Sequence, residues 1–320
     1  MKKSAILMPP FIGDFVLALS VVVRKTVLAV DEEFTLLVPQ HLIPLCTLLT
    51  TLPYFPYRRS NRGELMETAS GVKHQKFDCI YLLTGSFSAA LFARRTAIPE
   101  RHSMTGSGDF LRTIITLGKN QKQGTLSDHI TKEYAAVLGV AQDDPGAWTG
   151  VSIKAHSKYS GNIVALCPGI GHDVGGRWQG FREIVKLLPS YEFVVLGSEA
   201  DGAAAKSIAS HLPHRVHNLA GKTSIEAAAA ILADASVVIA NHCGLMQLAG
   251  FLGAPVVGIF GASLPDRFRP LGSAVRCAVP DVRCSNCNGR YCHFDNKKCL
   301  SSISPEQVIA FAGEIVRQPS

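Results

Sequence analysis

Short aliphatic runs alternate with amphipathic stretches along the whole chain, and the scheme runs twice. In the first half, residues 4–8, 34–38 and 79–83 read as strands, with helices over 14–28, 42–49, 86–95 and 127–138. The second half repeats this with strands at 162–167, 192–196, 236–240 and 255–260 and helices at 181–188, 202–211, 224–235 and 245–252. Nearly continuous apolar strands separated by helices require parallel sheets with right-handed crossovers. The stretch 143–161, with Asp-Asp-Pro-Gly and Ser-Lys-Tyr-Ser-Gly, lacks periodicity and reads as the linker. The expected class is therefore α/β: two Rossmann-like domains facing a central cleft, spanning residues 1–155 and 156–303. In such sheets ligands bind beyond the carboxyl ends of the strands. Residues 304–320 close the chain with an N-cap Ser304, Pro305 at the first helical position and Gln307 three residues after the cap. Its apolar stripe of Val308, Ile309, Ala312, Ile315 and Val316 needs a surface, and the helix is expected to pack back toward the N-terminal domain.

Composition narrows the class further. With 47% apolar and 18% charged residues in 320, the chain is not disordered and has material for two cores. The apolar stretches 6–23 and 227–240 are broken by Asp14 and Asp234, short of the roughly 18–20 uninterrupted residues that span a bilayer. Met-Lys-Lys-Ser followed by a short apolar run suits a buried first strand better than a secretion signal, so a cytoplasmic protein is expected. Lys and Arg number 32 against 25 Asp and Glu, a net +7 spread over both halves. That surplus favours an anionic partner such as phosphates, acidic glycans or a membrane surface over the plainer alternative of a basic protein with no charged partner. Of nine cysteines, Cys46, Cys79, Cys167 and Cys243 are scattered and the rest lie between 277 and 299, which is no disulfide framework.

Four loops and a cysteine-rich segment carry candidate chemistry. The first strand runs into Pro9-Pro10-Phe11-Ile12-Gly13-Asp14, where the positive end of a helix favours the carboxylate of Asp14. Asp there suits a general base and equally an N-cap with no catalytic role. The second domain opens on Cys167-Pro168-Gly169-Ile170-Gly171, leading to Arg177-Trp178. Backbone N–H groups of such a loop can meet a phosphate, but the glycine spacing departs from the dinucleotide fingerprint. Arg177 could neutralise a diphosphate or simply be a surface Arg. A third loop, Asn218-Leu219-Ala220-Gly221-Lys222-Thr223-Ser224, precedes a helix, and a fourth, Asn241-His242-Cys243-Gly244-Leu245-Met246-Gln247, ends a buried strand and opens the next helix. Finally Cys284, Cys287, Cys292 and Cys299, with His293 adjacent, have a compact spacing that would suit structural Zn or Fe, or remain ordinary thiols.

Together these segments resemble glycosyltransferase family 9, the heptosyltransferases of the lipopolysaccharide inner core, and the Cys segment leading into residues 303–308 resembles the second-heptose branch. The resemblance implies a GT-B fold and an inverting, metal-independent enzyme that needs no cofactor for catalysis. It would move a heptose or related sugar from an ADP-sugar, of the ADP-heptose type, to a lipopolysaccharide core or related anionic glycan or glycolipid. The acceptor would bind the first domain and the donor the second, with Asp14 as general base. Gly169, Arg177, Asn241, His242, Cys243, Gly244, Met246 and Gln247 would line the donor, Ser198 and Glu199 the ribose, and Lys222 and Thr223 the adenine. Such a protein would work in the cytoplasm or peripherally at the inner face of the inner membrane, without nucleic acid. The family usually reads Asn-Asp-Ser/Thr-Gly-x-Met-His, whereas here His242 replaces the Asp and Gln247 the final His, and Gly176 stands where a Lys often precedes Arg177. Those departures sustain an alternative: a catalytically weak member acting as a nucleotide-sugar-binding or assembly subunit.

Overall fold

A computed structural model describes residues 1–58, 62–104, 128–141, 144–154, 157–159, 162–171, 176–210, 212–281, 292 and 298–316. The chain divides into two compact units, Met1–Asp143 and Asp144–Ser320. In the first, strands β1 (Lys2–Leu7), β2 (Glu32–Pro39), β3 (Tyr54–Tyr57), β4 (Cys79–Leu82) and β5 (Glu100–Ser103) form one sheet in the order β3-β2-β1-β4-β5. Its helices are α1 (Ile12–Leu28), α2 (Ile43–Leu49), α3 (Arg62–His74), α4 (Phe87–Thr96) and α5 (Ile130–Leu138). Residues Phe15–Val22 of α1, apolar except for Ser20, are all buried, so this middle stretch of the helix belongs to the interior of the first unit.

The second unit repeats the plan with β6 (Ile163–Cys167), β7 (Glu192–Val195), β8 (Val216–Asn218), β9 (Val237–Asn241), β10 (Val256–Ile259) and β11 (Val275–Ala278), ordered β11-β10-β9-β6-β7-β8. Its helices are α6 (Phe181–Leu187), α7 (Gly202–Ala209), α8 (Ile225–Asp234), α9 (Gly244–Phe251), α10 (Pro265–Phe268), α11 (Lys298–Ser301) and α12 (Pro305–Ile315). Among the described residues all strand pairings are parallel. In each sheet the chain winds outward, then returns to the other side of its first strand. The reversal falls between β1 and β4 in one unit and between β6 and β9 in the other, the place where open α/β sheets bind ligands.

The first unit ends earlier than the boundary expected at residue 155. Trp148 explains this: its Nε1 donates to the Phe251 carbonyl at 2.8 Å and its ring lies 5.1 Å from that of Phe251. Gly272 N also donates to Pro145 O, so residues 145–151 form part of the second unit. The C-terminal helix departs from expectation too. The capped start is present, with Gln307 N donating to Ser304 Oγ at 3.2 Å. Its apolar face, however, covers the second unit's own sheet: Val308 and Ala312 share a core with Val257, Ile259 and Trp178.

Gly150 makes one turn of this region possible. Its φ is +92°, and a Cβ there would stand 2.7 Å from Gly253 Cα and 2.9 Å from the Leu252 carbonyl. Both obstacles are backbone and neither can step aside. Gly150→Ala should lower unfolding free energy by about 1–3 kcal/mol, read as a drop in thermal midpoint. An unchanged midpoint would mean the 145–151 segment does not anchor there.

Candidate functional site

At the reversal of the second sheet, the loop after β6 meets the end of β9. The Pro168 carbonyl accepts two hydrogen bonds, from Arg177 Nε at 2.7 Å and from Asn241 Nδ2 at 3.0 Å. Gly171 N donates to the His242 carbonyl at 3.3 Å, a second tie between the same loops. Arg177 Nη2 lies 2.6 Å from Asp201 Oδ1, while Nη1 makes no hydrogen bond among the described residues. Asp201 is 8% exposed, and its other oxygen accepts from Ser198 N and Ser198 Oγ at 2.9 and 2.7 Å. A Cβ on Gly169 would come 3.1 Å from this carboxylate, which explains the glycine beside it. The guanidinium is thus held in one pose at the strand ends, its charge paired with Asp201 and its Nη1 left without a hydrogen bond among the described residues.

Asp201 was not among the candidate residues expected from sequence. The signal was legible: Ser198-x-x-Asp201 is a capping-box pattern, and both reciprocal bonds are present. What the pattern cannot reveal is the pairing to an Arg 24 residues away.

Ser198, Glu199, Lys222 and Thr223 come together through backbone. Gly221, at φ +70°, donates its N–H to Gly197 O at 2.9 Å, and a Cβ on it would stand 3.0 Å from Glu199 Cα. Ser198 and Glu199 are exposed beside this contact. Lys222 Nζ donates to Asn218 O at 3.2 Å, and Thr223 immediately precedes Ser224, the N-cap of α8.

The segment after β9 divides into two groups. Gly244 opens α9, and Cys243 is its N-cap residue, its thiol pushed up to about 11 by burial against opposing hydrogen bonds from the Met246 and Leu245 backbone. Asn241 is 3% exposed, and its Oδ1 is buried without a hydrogen-bond partner among the described residues. Leaving such an atom unpaired costs about 1–3 kcal/mol, which a ligand donor would recover. Met246 and Gln247, expected to line the donor, are instead buried. Met246 is 0% exposed with its sulfur beside Gly258, and Gln247 Nε2 donates to the Phe268 carbonyl at 2.6 Å. His242 is held on the same side. Its Nδ1 is 2.8 Å from Ser263 Oγ, and its ring lies 5.2 and 5.3 Å from those of Phe260 and Phe268.

In the first unit, Asp14 occupies the first turn of α1, directly beyond β1, and is half-buried. The N-cap is Phe11, without a side-chain cap, so Asp14 is the third helical residue and not the cap. Around the same strand end, His41 Nε2 lies 3.0 Å from Pro10 O, and Tyr57 Oη donates to Met8 O at 2.9 Å.

Cys284 and Cys287 lie outside the described residues, as does His293. Cys292 is exposed, whereas Cys299 is buried in α11 within the second core. Among the described residues no helix is long and apolar enough to cross a membrane.

Known proteins share this fold. The sequence model of glycosyltransferase family 9 (heptosyltransferase) matches residues 66–298. Lipopolysaccharide heptosyltransferase 2 of Escherichia coli is 27% identical over 237 residues, covering 67% of this chain and 68% of its own. The solved E. coli ADP-heptose lps heptosyltransferase II superposes with a TM-score of 0.80 at 21% identity over 98% of both chains. E. coli heptosyltransferase WaaC with ADP gives 0.78 at 17% identity, over 98% of this chain and 100% of that one. These likenesses identify the two parallel-sheet units as the GT-B fold. The match over residues 66–298 takes in most of the second unit's loops, and the chain belongs to glycosyltransferase family 9, the heptosyltransferase family of glycosyltransferases.

Proposed function

We propose that the protein transfers a heptose, or a closely related sugar, from an ADP-heptose-type donor to a lipopolysaccharide core or related anionic glycan, with inversion and without a metal. The anchored Arg177 carries this reading. A guanidinium fixed by Pro168 O and Asp201, close to the N-terminus of α9, is the preorganised charge a departing diphosphate needs. The likeness to a heptosyltransferase solved with ADP supports the same choice of nucleotide. Ser198 and Glu199 would meet the ribose, Lys222 and Thr223 the adenine, and Gly169, Asn241, Cys243 and Gly244 the remainder of the donor. Asp14 would remove the proton from an acceptor hydroxyl as that oxygen attacks the anomeric carbon. The bond to the diphosphate breaks on the opposite face, and its electron pair leaves with ADP. The acceptor would be reached peripherally, at the inner face of the inner membrane. Any Zn or Fe held by Cys284, Cys287, Cys292 and Cys299 would be structural in this scheme.

A second reading rests on one observation. His242 stands where the family places an Asp, and its ring is engaged by Ser263, Phe260 and Phe268. A chain lacking that carboxylate could bind the donor without turning it over. Incubation with ADP-heptose and a truncated core acceptor, followed by mass spectrometry of the product and assay of released ADP, separates the two. A heptose added with stoichiometric ADP release is expected. ADP-heptose binding without product would establish the binding-subunit reading instead.

A further inference from the structure

The first sheet holds a polar cluster at the end opposite Asp14, and the transfer reaction leaves it unused. Cys79 begins β4 and faces Glu100 across the ladder, as Tyr81 faces His102, so strand alternation places all four on one side of the sheet. One ligand atom each from Cys79, Glu100 and His102 lies within 4.8 Å of the others. Cys79 is 0% exposed, and the His102 side chain is 13% exposed. Two features go beyond proximity. His102 Nε2 lies 2.7 Å from Glu100 Oε1, the carboxylate–imidazole pairing that fixes a ligand ring's tautomer. The other nitrogen, Nδ1, is buried and has no hydrogen-bond partner among the described residues.

We propose that Cys79, His102 and Glu100 form a zinc-type cation site that ties the edge strand β5 to β4. Cys79 supplies the thiolate, His102 the imidazole nitrogen, and Glu100 the carboxylate that orients the ring and balances charge. A sulfur, nitrogen and oxygen set suits a borderline-soft ion such as Zn(II) and disfavours Mg or Ca. The surroundings are electrically balanced without it: Lys2 Nζ lies 2.7 Å from Glu100 Oε2 and Lys25 Nζ 3.5 Å from Glu32 Oε2, with Tyr81 Oη donating to Glu32. Burial pushes the Cys79 thiol up to about 11, so it is neutral until an ion displaces its proton. Lys2 competes for Glu100, and binding would loosen that ion pair. The site is structural, since it lies at the start of β4 and β5 and the candidate base follows the end of β1.

The probe is zinc itself, added to metal-stripped full-length protein and counted by elemental analysis after desalting. Cys79→Ser and His102→Asn are each expected to carry about one ion per chain fewer than the wild type, and Glu100→Gln to bind about 10–100-fold more weakly. Because the measurement is a difference, ions held by residues 284–299 cancel. Zinc should also raise the wild-type thermal midpoint more than that of either variant. Equal zinc content in wild type, Cys79→Ser and His102→Asn would overturn the proposal. Should a variant fail to fold, cadmium NMR of the wild type decides. A cadmium resonance from a single-sulfur environment supports the site, and signals from multi-thiolate environments alone, or none, refute it.

Discussion

Asp14→Ala should lower the rate of sugar transfer by about 10²–10⁴-fold, the loss expected when a general base is removed. Affinity for ADP should stay unchanged, because Asp14 belongs to the unit Met1–Asp143 while the candidate donor residues all lie in Asp144–Ser320. The rival explanation is structural. Asp14 is not the cap of α1, since Phe11 holds that position. A carboxylate in the first turn contributes about 0.3–1 kcal/mol through the helix dipole alone. A structural Asp14 would show a fall in thermal midpoint and near-normal turnover in the alanine variant. A catalytic one shows the reverse. Asp14→Asn sharpens the contrast, keeping size and some hydrogen bonding while removing the basic oxygen. Rate and midpoint measured on one preparation of each variant settle the role, and a rate within a few-fold of wild type would withdraw Asp14 from the chemistry.

How far the fold could be read from sequence depended on where each strand sits. The interior strands β1, β2, β4, β6, β7, β9 and β10 are all legible as apolar runs, because a strand buried on both faces has little room for polar residues. The four overlooked strands, β3, β5, β8 and β11, are the four sheet edges. Each is short and only partly buried: β5 reads Glu-Arg-His-Ser, and β3 carries Pro56, which only an edge tolerates readily. Helix α3, whose sequence is weakly apolar, was missed for a related reason.

The candidate site was legible to the extent that it consists of loops at strand ends. Gly169, Arg177, Asn241 and Gly244 were identifiable because glycines and polar residues interrupt apolar runs there. Long-range pairing was not legible. Nothing in the sequence shows that Asp201 holds Arg177, that Ser263 and Phe268 engage His242, or that Gln247 reaches the Phe268 carbonyl. The burial of Met246 and Gln247 was likewise not legible. Residues that follow a ligand loop on a helix can face the core, and both do here.

Arg177→Ala is expected to have two separable effects. The first is on stability. Removing the guanidinium leaves the carboxylate of Asp201, 8% exposed, with only the Ser198 hydrogen bonds. Breaking a fully buried pair costs about 3–5 kcal/mol, and since the Arg177 side chain is 26% exposed the loss here should be roughly 2–3 kcal/mol. The second effect is on the donor: ADP affinity should fall by about 10–100-fold, or roughly 1.4–2.8 kcal/mol. Pairing the change with Asp201→Asn pulls the two apart. In the double variant no buried charge is stranded, so much of the stability should return, and the non-additivity measures the coupling. ADP affinity should not return, because the positive charge is still missing. Arg177→Lys should not rescue it either, since one ammonium on a flexible stem cannot serve Pro168 O, Asp201 and a diphosphate from a fixed plane. Calorimetric titration of ADP and thermal melts on the three variants supply the comparison. If Arg177→Ala melts early yet binds ADP like the wild type, Arg177 is a strut between the loop after β6 and α7, and the charge that meets the diphosphate must come from another residue.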